Sequence, residues 1–240
     1  DMPFAKNAQG YSTTEIGCIG DFYMTTRYFG ERIKRNEDPR LLTGQGLYVD
    51  DVDLPNMLHV AFVRSPYAHA RINSIDVSQA LQREGVVAVY TANDLGDYWK
   101  PGPLLVSPPP VEGIVFNEKT QVPLAKDKVK FAGEPIVMVL AESRYIAEDA
   151  LADIQIDYEP LEAVVDLEKG LQAESPVIHE EIGSNVSAHV VQTKGDYESV
   201  KKDAALVVKR RFSYEHGCAA AIENRGIVAE WDRRAGRLTV

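Results

Sequence analysis

The 240-residue chain carries a net charge of −10, and its 45% hydrophobic and 26% charged residues are those of an ordinary soluble protein. This acidity argues against a nucleic-acid partner and against anionic membrane surfaces, since both would repel it. No apolar run approaches the roughly 20 residues that span a bilayer, and no secretory signal is visible at the start. The two cysteines, Cys18 and Cys218, offer no disulfide framework, so we expect a cytoplasmic protein whose cysteines are small buried hydrophobes.

The first segment shows little regular pattern. Residues 1–30 have no sustained period and predict an extended arm. Gly44 and Gly46 follow a charged stretch, but neither GxGxxG nor GxxxxGK[ST] is present. The glycine pair therefore predicts a bend at the start of a strand rather than a phosphate cradle.

Alternating strands and a helix come next. The apolar run Met57–Val63 predicts a strand, and a second extended piece covers Ala68–Asp76. A short helix is expected over Val77–Glu84, because Asp76 can cap it and Gly85 can end it. Val86–Tyr90 predicts another strand.

The clearest stretch is Phe131–Asp166, which predicts strand, helix and strand. Ile136–Leu140 is a continuous apolar run, as in a strand covered on both faces. Ser143 is a good helix N-cap, and Ile154, Ile156 and Tyr158 then alternate with polar residues until Pro160. We expect the three preceding strands to share a mixed sheet with this unit, so the predicted fold class is α+β (mixed α/β).

The second half is less regular. The proline-rich stretch over 93–128, with SPPP at 107–110, predicts a structured excursion from the sheet, and a proline-recognition ligand is the alternative. A polar linker is expected from 167 to 185. The further predicted elements are strands at Val186–Gln192, Leu206–Tyr214, Gly226–Trp231 and Arg237–Val240, with a helix at Tyr197–Ala204. Because the last strand stops without a partner, we expect the fold to continue in other residues or in another polypeptide.

Candidate chemistry is sparse. None of the five histidines has metal-ligand spacing; His69 is predicted to be a hydrogen-bonded turn residue, with a catalytic base as the alternative. Ser65 has no neighbouring base, and the Asp50, Asp51 and Asp53 cluster lacks the glycine and distal glutamate of a calcium loop. We therefore predict no catalytic or metal-binding residue in this chain, and its cofactor-binding residues stay open.

One charged pair stands out near the end of the chain. Glu223 and Arg225 follow an apolar run and precede a predicted strand. Charged groups in such a place are often paired at an interface. We predict that Glu223 and Arg225 line a substrate channel or a subunit interface.

Four stretches in order carry a resemblance to a known family: RNEDPRLLTGQGLYVDDVDLP at 35–55, HVAFVRSPYAHARINSID at 59–76, GEPIVMVLAESRYIAEDALADIQIDYEPLEAVVD at 133–166 and IENRGIVAEWDRRAGRLTV at 222–240. Together they resemble the start of the molybdopterin-binding large subunit of the xanthine dehydrogenase / aldehyde oxidase / carbon monoxide dehydrogenase family, a family of molybdenum hydroxylases. The segment at 222–225 matches the family's PMEPR-type motif only in part, with Asn224 in place of proline.

The resemblance implies a domain order. An N-terminal arm and opening segment (1–45) would precede an a/b hammerhead domain (46–166), a linker (167–185) and the incomplete beginning of a molybdopterin-binding domain (186–240).

It also implies an activity, namely oxidation of an N-heterocycle, an aldehyde or a similar small molecule with oxygen from water. A molybdopterin-type molybdenum cofactor would accept the electrons and pass them to [2Fe–2S] clusters and FAD on partner subunits. The implied partners are the remaining molybdopterin-domain polypeptide, an iron–sulfur subunit and an FAD subunit, and the chain alone would be inactive. The alternatives are a non-catalytic assembly or binding module with a hammerhead-type domain, and an unrelated α/β enzyme.

Overall fold

The computed structural model describes residues 32–102, 114–117, 120–215 and 217–240. The predictions for the arm at 1–30, for Cys18 and for SPPP at 107–110 lie outside these ranges. None of the helices in the described ranges is long and apolar enough to cross a membrane. The described helices are α1 (Asp38–Leu42), α2 (Ser78–Gln82), α3 (Arg144–Ala150) and α4 (Tyr197–Lys202). The described strands are β1 (His59–Arg64), β2 (Ala70–Asp76), β3 (Val86–Tyr90), β4 (Ile114–Phe116), β5 (Lys128–Val129), β6 (Pro135–Ala141), β7 (Gln155–Pro160), β8 (Ala188–Val190), β9 (Glu230–Asp232) and β10 (Arg237–Thr239).

The described residues fall into two compact units. One is Asp53–Ile222, and the other joins the described residues up to Val52 with Glu223–Val240. The larger unit contains two three-stranded sheets, ordered β1-β6-β3 and β5-β2-β7.

Every pairing between the described strands is antiparallel, so the predicted mixed sheet is wrong. The predicted strand–helix–strand unit also does not lie in one sheet: β6 is the centre of the first, and β7 is an edge of the second. Apolar and polar residues alternate along β7, and this explains its antiparallel pairing. The strand buries one face only, which suits an antiparallel strand whose other face meets water.

The core lies around β6. Ile136, Val137 and Val139 are fully buried, as the continuous apolar run predicts. Helix α3 packs on this sheet through small residues, since Ala147 contacts Ala61 and Ala141. The Ser143 hydroxyl accepts a 3.2 Å hydrogen bond from the Ile146 amide, which confirms the predicted N-cap.

The ends of the described chain differ more from prediction. Helix α1 was not predicted; Pro39 stands in its first turn, where a missing amide costs nothing. The predicted strand at Leu206–Tyr214 is wrong, because no described strand lies beside it to form a ladder. Gly226–Trp231 contributes only the short β9, and the prediction of a buried Cys218 is also wrong, since this residue is exposed.

Candidate functional site: a buried carboxyl, its lysine and an acidic loop

Glu223 makes a contact within its own compact unit. Its Oε1 accepts a 3.1 Å hydrogen bond from the amide of Val49, at the start of the short 3₁₀ turn Val49–Asp51. Gly226 lies against the same valine, so closely that a Cβ there would be 2.7 Å from Val49 Cγ1. Arg225 is exposed. This hydrogen bond joins the segment after Glu223 to the Val49–Asp51 turn. The predicted channel or interface role of Glu223 and Arg225 stays a prediction.

Asp51, one of the neighbouring aspartates, has a structural use. Asp51 Oδ2 accepts a 2.9 Å hydrogen bond from the Tyr48 amide and so caps the 3₁₀ turn. Within the described ranges, no group of three or more His, Cys, Asp or Glu side chains could hold a metal ion.

His69 and Ser65 are also held by local hydrogen bonds. His69 is 7% exposed, and its Nδ1 is 2.7 Å from the Glu162 carbonyl oxygen. A carbonyl only accepts, so Nδ1 carries the proton; Nε2 is buried without a hydrogen bond to a described residue. Ser65 Oγ accepts from the Tyr67 amide and donates to the Tyr67 carbonyl, which closes a turn. The geometry fits the turn residue that the sequence predicts at position 69.

Glu134 is the most buried carboxyl that the structure describes, with 2% of its surface exposed. It ends the turn before β6, and its main-chain carbonyl accepts from the Ser65 amide at 2.9 Å. Its Oε2 accepts a 2.6 Å hydrogen bond from the Lys130 amide. Burial raises the pKa of Glu134, although the Lys130 hydrogen bond and the Lys130 charge oppose that rise. The side chain therefore favours its neutral form more than an ordinary glutamate does.

The ammonium group of Lys130 forms an ion pair with a different carboxylate, that of Glu181. Its Nζ is 2.5 Å from Oε1 of Glu181. Partial burial acts to raise the pKa of Glu181, but hydrogen bonds from Lys130, from its own backbone amide and from His179 outweigh it and lower the pKa to about 2. A second ion pair joins Lys128 Nζ to Glu180 Oε1 at 2.6 Å. Two ion pairs therefore hold the loop at residues 180–181 against the segment around β5.

His179 lies next to the Lys130–Glu181 ion pair, but its Nδ1 cannot form hydrogen bonds with both residues at once. It lies 3.2 Å from Glu181 Oε1, where it must donate a proton, and 3.4 Å from Lys130 Nζ, where it must accept one. The shorter distance favours donation to Glu181. His179 is then a second donor to the carboxylate, which agrees with the low pKa of Glu181.

Lys128, Lys130, Glu134, Glu180 and Glu181 line part of a cleft of about 340 Å³. The lining also includes the apolar side chains of Pro101, Val122 and Trp99, and the Trp99 indole N–H donates to the Leu124 carbonyl at 2.8 Å. Lys126 Nζ lies 5.6 Å from the centre of the Trp99 ring, a cation–π distance. Two ion pairs, Lys128 to Glu180 and Lys130 to Glu181, join charged side chains of this lining. They hold the loop at residues 180–181 in place.

Glu134 was not singled out from the sequence. One feature of the sequence could have indicated that Glu134 is buried. It stands between Gly133 and Pro135, directly before the continuous apolar run at 136–140. Lys130, whose amide bonds to Glu134, pairs through its ammonium group with Glu181, 51 residues away in sequence, and no spacing rule connects these two residues.

Comparison with known proteins identifies the family. Residues 43–162, half of the chain, match the family described as "Aldehyde oxidase and xanthine dehydrogenase, a/b hammerhead domain". The chain belongs to this family, which confirms the predicted resemblance, the α+β fold class and the hammerhead domain.

Relatives and solved structures agree with this assignment. The chain is 38% identical over 215 residues to the nicotine 6-hydroxylase large subunit of Paenarthrobacter nicotinovorans, covering 90% of this chain and 26% of that protein. It is 31% identical over 197 residues to the nicotinate dehydrogenase large molybdopterin subunit of Eubacterium barkeri, covering 82% of this chain and 43% of that subunit. The crystal structure of quinoline 2-oxidoreductase from Pseudomonas putida 86 superposes with a TM-score of 0.75 at 38% identity, over 86% of this chain and 25% of the other.

The chain therefore spans about a quarter of the length of the first of these relatives. The names of these relatives are those of a hydroxylase, a dehydrogenase and an oxidoreductase, and the first two are named as large subunits.

Proposed function

We propose that this chain is the hammerhead-bearing part of a molybdenum hydroxylase that oxidises an N-heterocycle, an aldehyde or a similar small molecule with oxygen taken from water. The observation that supports this most is the match over residues 43–162, and the structural likeness to quinoline 2-oxidoreductase agrees with it. In this proposal electrons leave through [2Fe–2S] clusters and FAD on partner subunits.

The cofactor would be held outside the described residues. Those residues have no cluster of metal-ligating side chains, and the cleft beside Glu134 is lined by side chains that pair with one another. They do not form a holder for a molybdenum cofactor, so we derive no chemical step through it. The proposed part of this chain is structural: it supplies the hammerhead domain and residues 186–240 as the beginning of a molybdopterin-binding domain.

Purification of the tagged protein from its own host tests the proposal. We expect stoichiometric molybdenum in the assembled complex, iron–sulfur and flavin absorbance, and transfer of oxygen from isotopically labelled water into an oxidised N-heterocycle or aldehyde. The 240-residue chain expressed alone should hold no molybdenum. A complex that is stable but lacks both molybdenum and oxidation activity would favour a non-catalytic assembly module instead.

A further inference from the structure

The cleft beside Glu134 has the size and the mixed lining of a small-molecule site. Its volume of about 340 Å³ lies within the range of ligand pockets, roughly 300–1,000 Å³. Trp99, Pro101 and Val122 give it apolar surface, and charged side chains give it polar groups that can orient a ligand. All the lining residues belong to the compact unit Asp53–Ile222, so one unit forms the whole cleft.

The three lysines of the lining differ in their partners. Lys128 and Lys130 each pair with a carboxylate of the 180–181 loop, at 2.6 and 2.5 Å. Lys126 forms no ion pair with a described residue, and its Nζ lies 5.6 Å from the centre of the Trp99 ring. Because Lys126 is also exposed, its ammonium group can turn toward an anion without breaking an ion pair of the described residues. The cleft therefore presents one available cation beside an aromatic ring.

The carboxyl groups of the lining leave room for an anion at this end. Those of the 180–181 loop are already paired with lysines. Glu134 is buried, and burial raises its pKa, so it favours the neutral form more than an ordinary glutamate does. Asp127 is the remaining carboxylate; it is exposed and forms no ion pair with a described residue. An anion is therefore best placed between Lys126 and Trp99, and Asp127 should oppose it.

We propose that this cleft binds a small aromatic carboxylate, with its ring against Trp99 and its carboxylate group on Lys126. The 2.8 Å hydrogen bond from the Trp99 indole to the Leu124 carbonyl fixes the ring that the ligand would contact. Aromatic rings attract each other beyond their burial, and a hydrogen bond between an ammonium group and a carboxylate is among the stronger ones. The inference goes beyond the proposed function and does not depend on it.

An aromatic cation fits the cleft less well. The position over the Trp99 ring that would attract a cation is already taken by the Lys126 ammonium group. A second positive charge there would be repelled by Lys126. The same contact therefore favours a ligand of negative charge.

An NMR titration of the 240-residue chain with benzoate tests the site. The chain has two tryptophans, and Trp231 does not line the cleft. The indole N–H signal of Trp99 should shift and reach saturation, with a dissociation constant on the order of 1 mM for so small a ligand. The signal of Trp231 should stay in place, and Trp231→Phe assigns the two signals.

Three variants and a neutral probe test the sign of the charge. Lys126→Met should weaken benzoate binding by about fivefold. Lys100→Met is the matched control, because Lys100 is exposed and lies next to Trp99 in sequence but does not line the cleft; it should change binding by less than about twofold. Asp127→Asn should strengthen binding by about twofold, since it removes an opposing charge. Benzamide, which has the same shape without the charge, should bind at least about fivefold more weakly than benzoate.

The contrary outcomes are equally definite. A Trp99 shift that rises without saturation, or that benzamide reproduces at the same concentrations, overturns the site. Equal weakening by Lys126→Met and Lys100→Met shows that net charge alone acts, and this also overturns it. Tighter binding of benzylammonium than of benzoate identifies a cation site and overturns the assignment of the ligand. The oxidation activity of the complex from the host is a separate measurement, so failure of this site leaves the proposed function intact.

Discussion

The Lys130 amide donates a 2.6 Å hydrogen bond to Oε2 of Glu134, so a lysine acts on a buried carboxyl through its main chain as well as through its charge. The ammonium group of the same residue lies 2.5 Å from Glu181. The two carboxyl groups consequently shift in opposite directions: the pKa of Glu134 is raised by burial, and that of Glu181 is lowered to about 2. They should therefore affect stability in separate pH ranges.

Glu134→Gln should remove a loss of stability that occurs as pH rises. A carboxyl whose pKa is raised in the folded state stabilises fully below its ordinary pKa of 4.5, and that contribution disappears as pH rises through the folded pKa. Urea unfolding from about pH 4 to about pH 8 should show this decline in the wild type and not in the variant. Glu142→Gln, at an exposed carboxylate after the same strand, controls for the loss of one charge. Parallel pH profiles for the wild type and Glu134→Gln would contradict the assignment.

Lys130→Met should raise the pKa of Glu181 from about 2 toward its ordinary value of 4.5. A lowered carboxyl pKa stabilises the fold above the ordinary pKa and ceases to do so as pH falls toward 2, so the variant should lose about 0.2–1 kcal/mol near neutral pH and little in strong acid. Carboxyl-carbon NMR titration reports the pKa directly. Lys126→Met is the matched control, because Lys126 contacts the Trp99 ring and forms no ion pair with a described residue. An equal shift in both variants would show that net charge, not the Lys130 contact, sets the value.

Gly85→Ala and Gly133→Ala separate backbone strain from steric conflict. Both glycines have positive φ, +82° and +87°, where an alanine costs about 1–2 kcal/mol. A Cβ at Gly85 would also lie 2.7 Å from Ile146 Cδ1, whereas Gly133 has no heavy atom within 4 Å of that position. Gly85→Ala should therefore lose about 1 kcal/mol more of the unfolding free energy than Gly133→Ala, as measured by urea denaturation. Equal losses would mean that Ile146 moves aside without cost.

Ser143→Ala should destabilise helix α3 by about 0.5–2 kcal/mol, because the Ile146 amide loses the hydroxyl that accepts its hydrogen bond. Ser143→Asp keeps an acceptor at the same position and should retain most of the stability. Thermal or urea unfolding of the two variants checks this. If alanine and aspartate were equally destabilising, the side chain at position 143 would matter for packing rather than for capping.

Local patterns predicted the local structure well. The apolar run at 136–140, the serine cap at 143 and the alternation at 154–158 each became the expected strand, helix start or half-buried strand. These features depend on residues within one or two turns of each other. Which strands pair was not predictable in the same way, since β6 separates β1 from β3 in space although it follows both in the chain by more than 40 residues.

The candidate site shows the same limit. The sequence indicates that Glu223 and Arg225 are unusual but not that Val49 is the contact of Glu223, 174 residues away. It also predicts a strand at 206–214, where the pattern is strand-like and the described residues contain no partner. A propensity states what a segment favours when a neighbour is present, and it does not state whether the neighbour belongs to the same part of the protein.

The order of strands in the two sheets has a consequence for synthesis on the ribosome. Strands β1, β2 and β3 emerge first, yet none of them pairs with another. Each of them pairs with β5, β6 or β7, and these strands are synthesised after residue 127. A growing chain that has passed Tyr90 therefore carries three unpaired strands while several dozen further residues are made. Unpaired strands are prone to wrong association, so this nascent stretch is where a chaperone would have most to protect.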